Sequence, residues 1–311
     1  MEAAATTPIP VVARRGYWRQ SLHRIGRQPL TLSALAVLVT LFVLGGLASV
    51  LAPHGWNWID LSSQWRNHPP TLTGGHLLGT DNIGRDTIQR TLWGLHFSEQ
   101  TALAGAAIAA LVGLLVGGLA GYYTGWIDTS LMRIADLITG LPVFVLMLVT
   151  FAFLQPVTLW KAIAVFSGYM WTLVARVVRA RVAALRAEPF VEAAIAAGAS
   201  DTRILLRHLL PNAAGATIIA ATTVLGQIAL VEAAVEFFGF GVPSLIRPTL
   251  GNLIADSTMS GIGDFNYLGL GWWVWAGPVI ILVLILVCTN LIGDGLDTAL
   301  NPRAQIRRSE I

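Results

Sequence analysis

The chain has 311 residues, 55% of them hydrophobic and only 12% charged, with a formal net charge of +3. Soluble domains carry about 25% charged residues, so this composition excludes an ordinary soluble enzyme and points to a membrane protein. Nineteen of the twenty basic residues are arginine; the one lysine, Lys161, follows Trp160 rather than a glycine, so the chain has no P-loop and any energy from ATP must come from a partner. The single cysteine, Cys288, lies in an apolar run, which excludes an intrachain disulfide and a thiolate metal cluster and reads as a small buried hydrophobe.

Residues 1–29 are polar, with Pro8, Pro10 and five arginines, and are expected to be disordered or to lie along an anionic membrane surface. They precede an apolar run too long for a cleavable signal, so 30–51, with no charge, is read as a retained first span of about 30 Å. A polar segment, 52–100, follows, with Trp56, Trp58 and Trp65 at its start as interfacial aromatics. Within it His76, Asp81 and Asp86 match no standard metal spacing, so no metal site is assigned, and they are expected to form turns and caps around a short amphipathic helix. The second span, 101–123, repeats glycine at 113, 117 and 121, which predicts close packing against another helix.

The third span is placed at 134–154, where Pro142 can introduce a kink that lines a path or adjusts packing. The fourth, 160–178, has only a short uncharged stretch between Lys161 and Arg176, both long enough to reach the interfaces. The fifth, 212–233, carries Gln227 and ends near Glu232 and Glu236, which share a helical face. Carboxylates at membrane depth are expensive; these two could bind a cationic substrate, carry protons or sit hydrated. A turn-rich loop at 239–271, a sixth span at 272–292 and a tail at 293–311 complete the chain. Six spans put both termini on one side. That side holds fifteen basic residues against five on the other, which makes it cytoplasmic.

The stretch 188–211, EPFVEAAIAAGASDTRILLRHLLP, is too polar to span and too regularly apolar to be a solvated loop. Pro189 suits a first helical position. Phe190, Ala193, Ala194 and Ala197 fall on one narrow face of mostly small side chains. Gly198 fits a left-handed helix end, and Ser200 or Asp201 can cap a second short helix that Pro211 limits and Arg203 and Arg207 make positive. The motif is helix, glycine elbow, helix, and it needs a docking partner.

With these segments in place, the chain resembles the membrane-spanning permease subunits of peptide-type ABC importers, which handle dipeptides, oligopeptides and in some branches nickel complexes or glutathione. The resemblance rests on the EAA loop of 188–211, on HLLGTDNIGRD at 76–86, on VEAAVEFFGFGVPS at 231–244 with PTLGN at 248–252, and on LIGDGLDTALNPR at 291–303. It implies an all-α polytopic fold of six membrane helices, of the type I importer permease kind, in a bacterial cytoplasmic membrane, and no enzymatic or cofactor site on this chain. It also implies a sister permease, two ATPase subunits that bind the ATP and magnesium, and an extracytoplasmic binding protein. Nucleic acid is not an expected partner. The coupling residues it points to are Glu188, Glu192, Ala193, Ala194, Gly198, Asp201, Arg203 and Pro211, with Gln227, Glu232 and Glu236 as path candidates. Glu236 and Asp297 depart from the family pattern. The rival from another class, a transporter driven by an ion gradient through Glu232 and Glu236, predicts that no ATPase copurifies.

Overall fold

The computed structural model describes residues 23–60, 66–72, 75–259 and 271–300; most of the N-terminal segment, Trp65 and the final residues of the tail lie outside it. The elements are α1 (Pro29–Gly46), α2 (Ala48–Leu51), α3 (Thr87–Tyr122), α4 (Trp126–Thr139), α5 (Val143–Phe153), α6 (Leu159–Arg186), α7 (Pro189–Ala196), α8 (Asp201–Ile204), a π-helical turn (Leu205–Leu209), α9 (Leu210–Phe237), α10 (Leu250–Met259) and α11 (Trp272–Leu300). Five of the helical segments are long and apolar enough to cross a membrane, and the bent pair α4–α5, counted as one span, makes six. No strand occurs among the described residues.

The centre of the bundle is the pair α3 and α6. A Cβ at Gly113 would lie 2.5 Å from Val174 Cβ, one at Gly117 2.9 Å from Val178 Cβ, and one at Gly121 2.6 Å from the Arg179 carbonyl. Where apolar surface has lipid as an alternative, burial alone does not bring helices together, and small residues that allow backbone contact do. The glycine repeat therefore makes the seam, and α9, α11 and α1 pack around it.

Several boundaries differ from those expected. Span two lies within a longer helix: α3 begins at Thr87, so polar residues ahead of 101 form its first turns. Their polar side chains, Arg90, Ser98, Glu99 and Thr101 among them, are buried against other parts of this chain, which hydropathy along a single segment does not register. The third span is broken rather than kinked, with α4 and α5 at 80° around Gly140–Pro142. Pro142 takes the N-cap position of α5, where its missing N–H costs nothing. α4 is held to α6 by ion pairs. Arg179 grips Asp128 through two bonds of 2.5 Å, and Arg176 Nη2 donates to Asp136 at 2.9 Å. Lys161 turns its ammonium onto the Leu154 and Pro156 carbonyls, both at 2.9 Å, at the end of α5.

α11 runs through residue 300 instead of ending at 292. Asp294 and Asp297 end the apolar run but sit on its exposed side, while Gly293, Gly295, Ala299 and Leu300 remain buried. Gly295 lies against Thr31 of α1.

Candidate functional site

The glycine elbow forms as its sequence specifies. Glu188 precedes α7 in an extended conformation and makes no side-chain cap, and Pro189 opens the helix. At the far end Gly198 has φ +78°. Its N–H donates to the Ile195 carbonyl at 2.9 Å and that of Ala199 donates to the Ala194 carbonyl at 3.0 Å, the paired bonds of a left-handed helix end. An added Cβ at Gly198 would meet nothing within 4 Å, so the backbone dihedral, not space, requires the glycine.

Only Val191 of α7 is buried; Phe190, Glu192, Ala193 and Ala197 are exposed and Ala194 is half-buried. The small-residue face thus points away from the bundle. Beside it is an open cleft of about 470 Å³ lined by Ala194, Ala197, Ala199, Arg203, Arg207 and His208.

The second arm departs from expectation. Ser200 makes no side-chain cap, and Pro211 does not end the helix. α8 passes through the π-helical turn directly into α9, whose first turn contains Pro211. Proline lacks the N–H that would bond the carbonyl four residues back and crowds that carbonyl, and widening the preceding turn relieves the clash. The Asn212 side chain takes the neighbouring His208 carbonyl at 2.6 Å. The outcome is mechanical: elbow and span are one continuous rod from Asp201 to Phe237.

At the other end of that rod Glu232 and Glu236 are 2% and 5% exposed, and Gln227 is half-buried. Glu232 is buried beside α3, and its Oε2 has no hydrogen-bond partner among the described residues. Glu236 accepts from the Thr249 hydroxyl. Thr249 and Asn252 cap α10 reciprocally, the Thr249 N–H donating to Asn252 Oδ1 at 2.9 Å and the Asn252 N–H to Thr249 Oγ1 at 3.3 Å. Asn252 also donates to the Val242 and Arg247 carbonyls. Within this chain Glu236 ties α9 to the cap of α10, and both carboxylates are buried.

The residues of 76–86 lock the start of α3. Asp86 caps it, accepting from the Gln89 N–H at 2.9 Å, and contacts His76 Nδ1 at 2.9 Å. Asp81 accepts from Arg85 Nε at 2.6 Å and Arg90 Nη1 at 2.9 Å, and Arg90 Nη2 reaches Asp256 of α10 at 3.0 Å. The turn-and-cap role expected of Asp86 is the one it fills. Sequence reasoning missed three residues. Glu99 is buried against Gly45 of α1, and its Oε1 has no hydrogen-bond partner. Tyr122 and Arg186 meet beneath the elbow: the Tyr122 hydroxyl donates to Asp201 Oδ1 at 2.7 Å, and Arg186 Nη1 donates to the Tyr122 carbonyl at 2.7 Å. Glu99 had a signal, as a carboxylate one residue from an uncharged run; Tyr122, one aromatic at the end of such a run, had none.

The elbow, the rod and the buried carboxylates fall in one region of sequence. Residues 113–306 match the family described as the binding-protein-dependent transport system inner membrane component. The chain belongs to that family. It is similar to the oligopeptide transport system permease protein OppC of Mycobacterium bovis, 34% identical over 92% of this chain and 95% of the relative. It is also similar to the dipeptide transport system permease protein DppC of Bacillus subtilis, 30% identical over 92% and 86%, and to OppC of Haemophilus influenzae, 30% identical over 93% and 89%. As an inner membrane component of this kind, the chain is a multi-pass permease subunit of an ABC importer, and its work is transport rather than chemistry. The matched family region includes the elbow, α9 and the α10–α11 end of the bundle.

Proposed function

We propose that the chain forms half of a path for di- or oligopeptides across the bacterial cytoplasmic membrane and couples that path to ATP hydrolysis through the elbow. A sister permease supplies the other half. Two ATPase subunits bind the ATP and magnesium, one of them seated on the α7–Gly198–α8 elbow, and an extracytoplasmic binding protein delivers cargo. Both termini and the elbow face the cytoplasm, where the arginine-rich segments gather.

The observation that carries this reading is the outward face of the elbow. A left-handed glycine fixes two short arms at an angle, with Ala193 and Ala197 exposed and Arg203 beside an open cleft. Small side chains let another subunit's backbone approach closely, and a cationic rim suits an acidic counterpart. Because the second arm is continuous with α9, displacement of the elbow moves a membrane-length helix. Glu188, Glu192, Ala194 and Asp201 shape the arms, and Pro211 sets the π-helical turn where they join the span. Peptide cargo is supported by relatives named for oligopeptide and dipeptide transport. Gln227, Glu232 and Glu236 are the path candidates on α9, and Glu236 also holds that helix to the cap of α10.

Replacing Gly198 by proline tests the coupling. Proline holds φ near about −65°, which the observed +78° does not tolerate. We expect Gly198→Pro to insert and to assemble with the sister permease, and peptide uptake by the full complex to be lost. Uptake at the parent rate would overturn the reading.

A further inference from the structure

The second arm of the elbow touches α3 at two places one helical turn apart. Gly118 lies under Leu210 and Leu205. Four residues on, Tyr122 is buried, and its hydroxyl reaches Asp201 Oδ1 at 2.7 Å. The first contact is apolar and can slide, since dispersion contacts have little directional preference. The second is a charge-assisted hydrogen bond that fixes both distance and angle.

Tyr122 is itself held from a third helix. Arg186, the last residue of α6, donates to the Tyr122 carbonyl at 2.7 Å, and its guanidinium stands 5.4 Å from the ring centroid. The same group reaches Thr124 Oγ1 at 3.4 Å. The ring is thus braced from its main chain and its face, while its hydroxyl is directed at the elbow.

α3 is 36 residues, about 54 Å at 1.5 Å per residue, and its other end is fastened into a polar lock. Asp86 caps it, and Arg90 joins it to Asp81 and to Asp256 of α10. A displacement delivered at Tyr122 is therefore delivered to the opposite end of the molecule, along a seam with α6 that the glycines keep tight.

We propose that Tyr122 is the positioning residue through which the elbow moves α3, its hydroxyl bond to Asp201 joining the coupling arm to the rod that ends in the Asp81–Arg90–Asp256 lock. This rests on the elbow being the ATPase-coupling element. Tyr122 touches neither cargo nor nucleotide; it holds the register between two moving parts.

The test uses the full complex with its ATPase subunits and needs no knowledge of the cargo. In a Cys288→Ala background, Ile83→Cys places a thiol in the loop just before α3, where the native side chain is 38% exposed. Its rate of maleimide labelling is measured without nucleotide and with ATP and vanadate. We expect nucleotide to change that rate roughly fivefold or more in the parent, and Tyr122→Phe to bring the ratio back to about one while the ATPase subunits still copurify. Asp201→Asn keeps an oxygen that can accept from the tyrosine and is expected to keep the response, whereas Asp201→Ala loses it. An unchanged response in Tyr122→Phe overturns the proposal, as does a parent whose labelling ignores nucleotide. Gly198→Pro in the same assay separates the two readings: a parental response there overturns the elbow reading, and a lost response there beside an intact one in Tyr122→Phe overturns only the role of Tyr122.

Discussion

Single residues carry more polar structure here than a membrane chain of this composition suggests. Asp86 illustrates the energetics, because one carboxylate both caps α3 and contacts His76. Losing an N-cap carboxylate costs about 1 kcal/mol, and a buried His76 stripped of a partner adds to that. Asp86→Ala is therefore expected to lower the unfolding midpoint of the purified protein, and an unchanged midpoint would show that the cap is idle. Glu236 follows the same logic from the other side. Its bond with the Thr249 hydroxyl joins the end of α9 to the cap of α10, so a residue that stands out in sequence as a path carboxylate is, within this chain, a strut. The departure of Glu236 from the family pattern is thus matched by a local partner.

At the scale of elements, the α3–α6 seam and the elbow were legible for different reasons. Glycines four apart announce close helix contact without naming the partner, since period alone says which face is narrow and not what lies against it. The structure supplies α6. Gly117→Val would drive a branched side chain onto the Ala175 carbonyl and Val178, and overpacking of this kind costs about 1–3 kcal/mol. We expect it to lower the yield of folded protein in the membrane, whereas Gly168→Ala on α6, where an added Cβ meets nothing, should leave yield unchanged. Equal yields for the two would remove the seam's role. Gly198 was legible because a helix end with left-handed φ has a strong residue preference. The boundary at Pro211 differs from the expected one: the helix runs through it, because the π-helical turn at Leu205–Leu209 accommodates the proline while Ile204, Leu205 and Leu209 pack into the core.

For the molecule as a whole, the charge asymmetry predicts one orientation, with the elbow in the cytoplasm. Cys288 is buried, so with it replaced by alanine an Ala197→Cys variant carries one exposed thiol on the elbow. An impermeant maleimide is expected to label it in inverted vesicles and not in intact cells; the reverse would invert the topology and move the elbow away from ATP. The same side gathers Arg179–Asp128 and Arg176–Asp136, which hold α4 to α6, the helix that leads into the elbow.

Composition, the uncharged runs and the elbow motif determined by themselves that this is a polytopic membrane protein with a helix–glycine–helix arm outside its spans, because hydrophobic length and local backbone preference are properties of contiguous residues. Tertiary structure alone decided that α3 starts at Thr87, that the third span breaks at Gly140–Pro142, and that Tyr122 meets Asp201. Each of these depends on what a distant segment offers. A polar side chain can enter the bundle when another helix satisfies it, a span can break when α6 holds one half of it, and a tyrosine becomes a joint only when residues 79 positions apart in sequence are brought within a hydrogen bond.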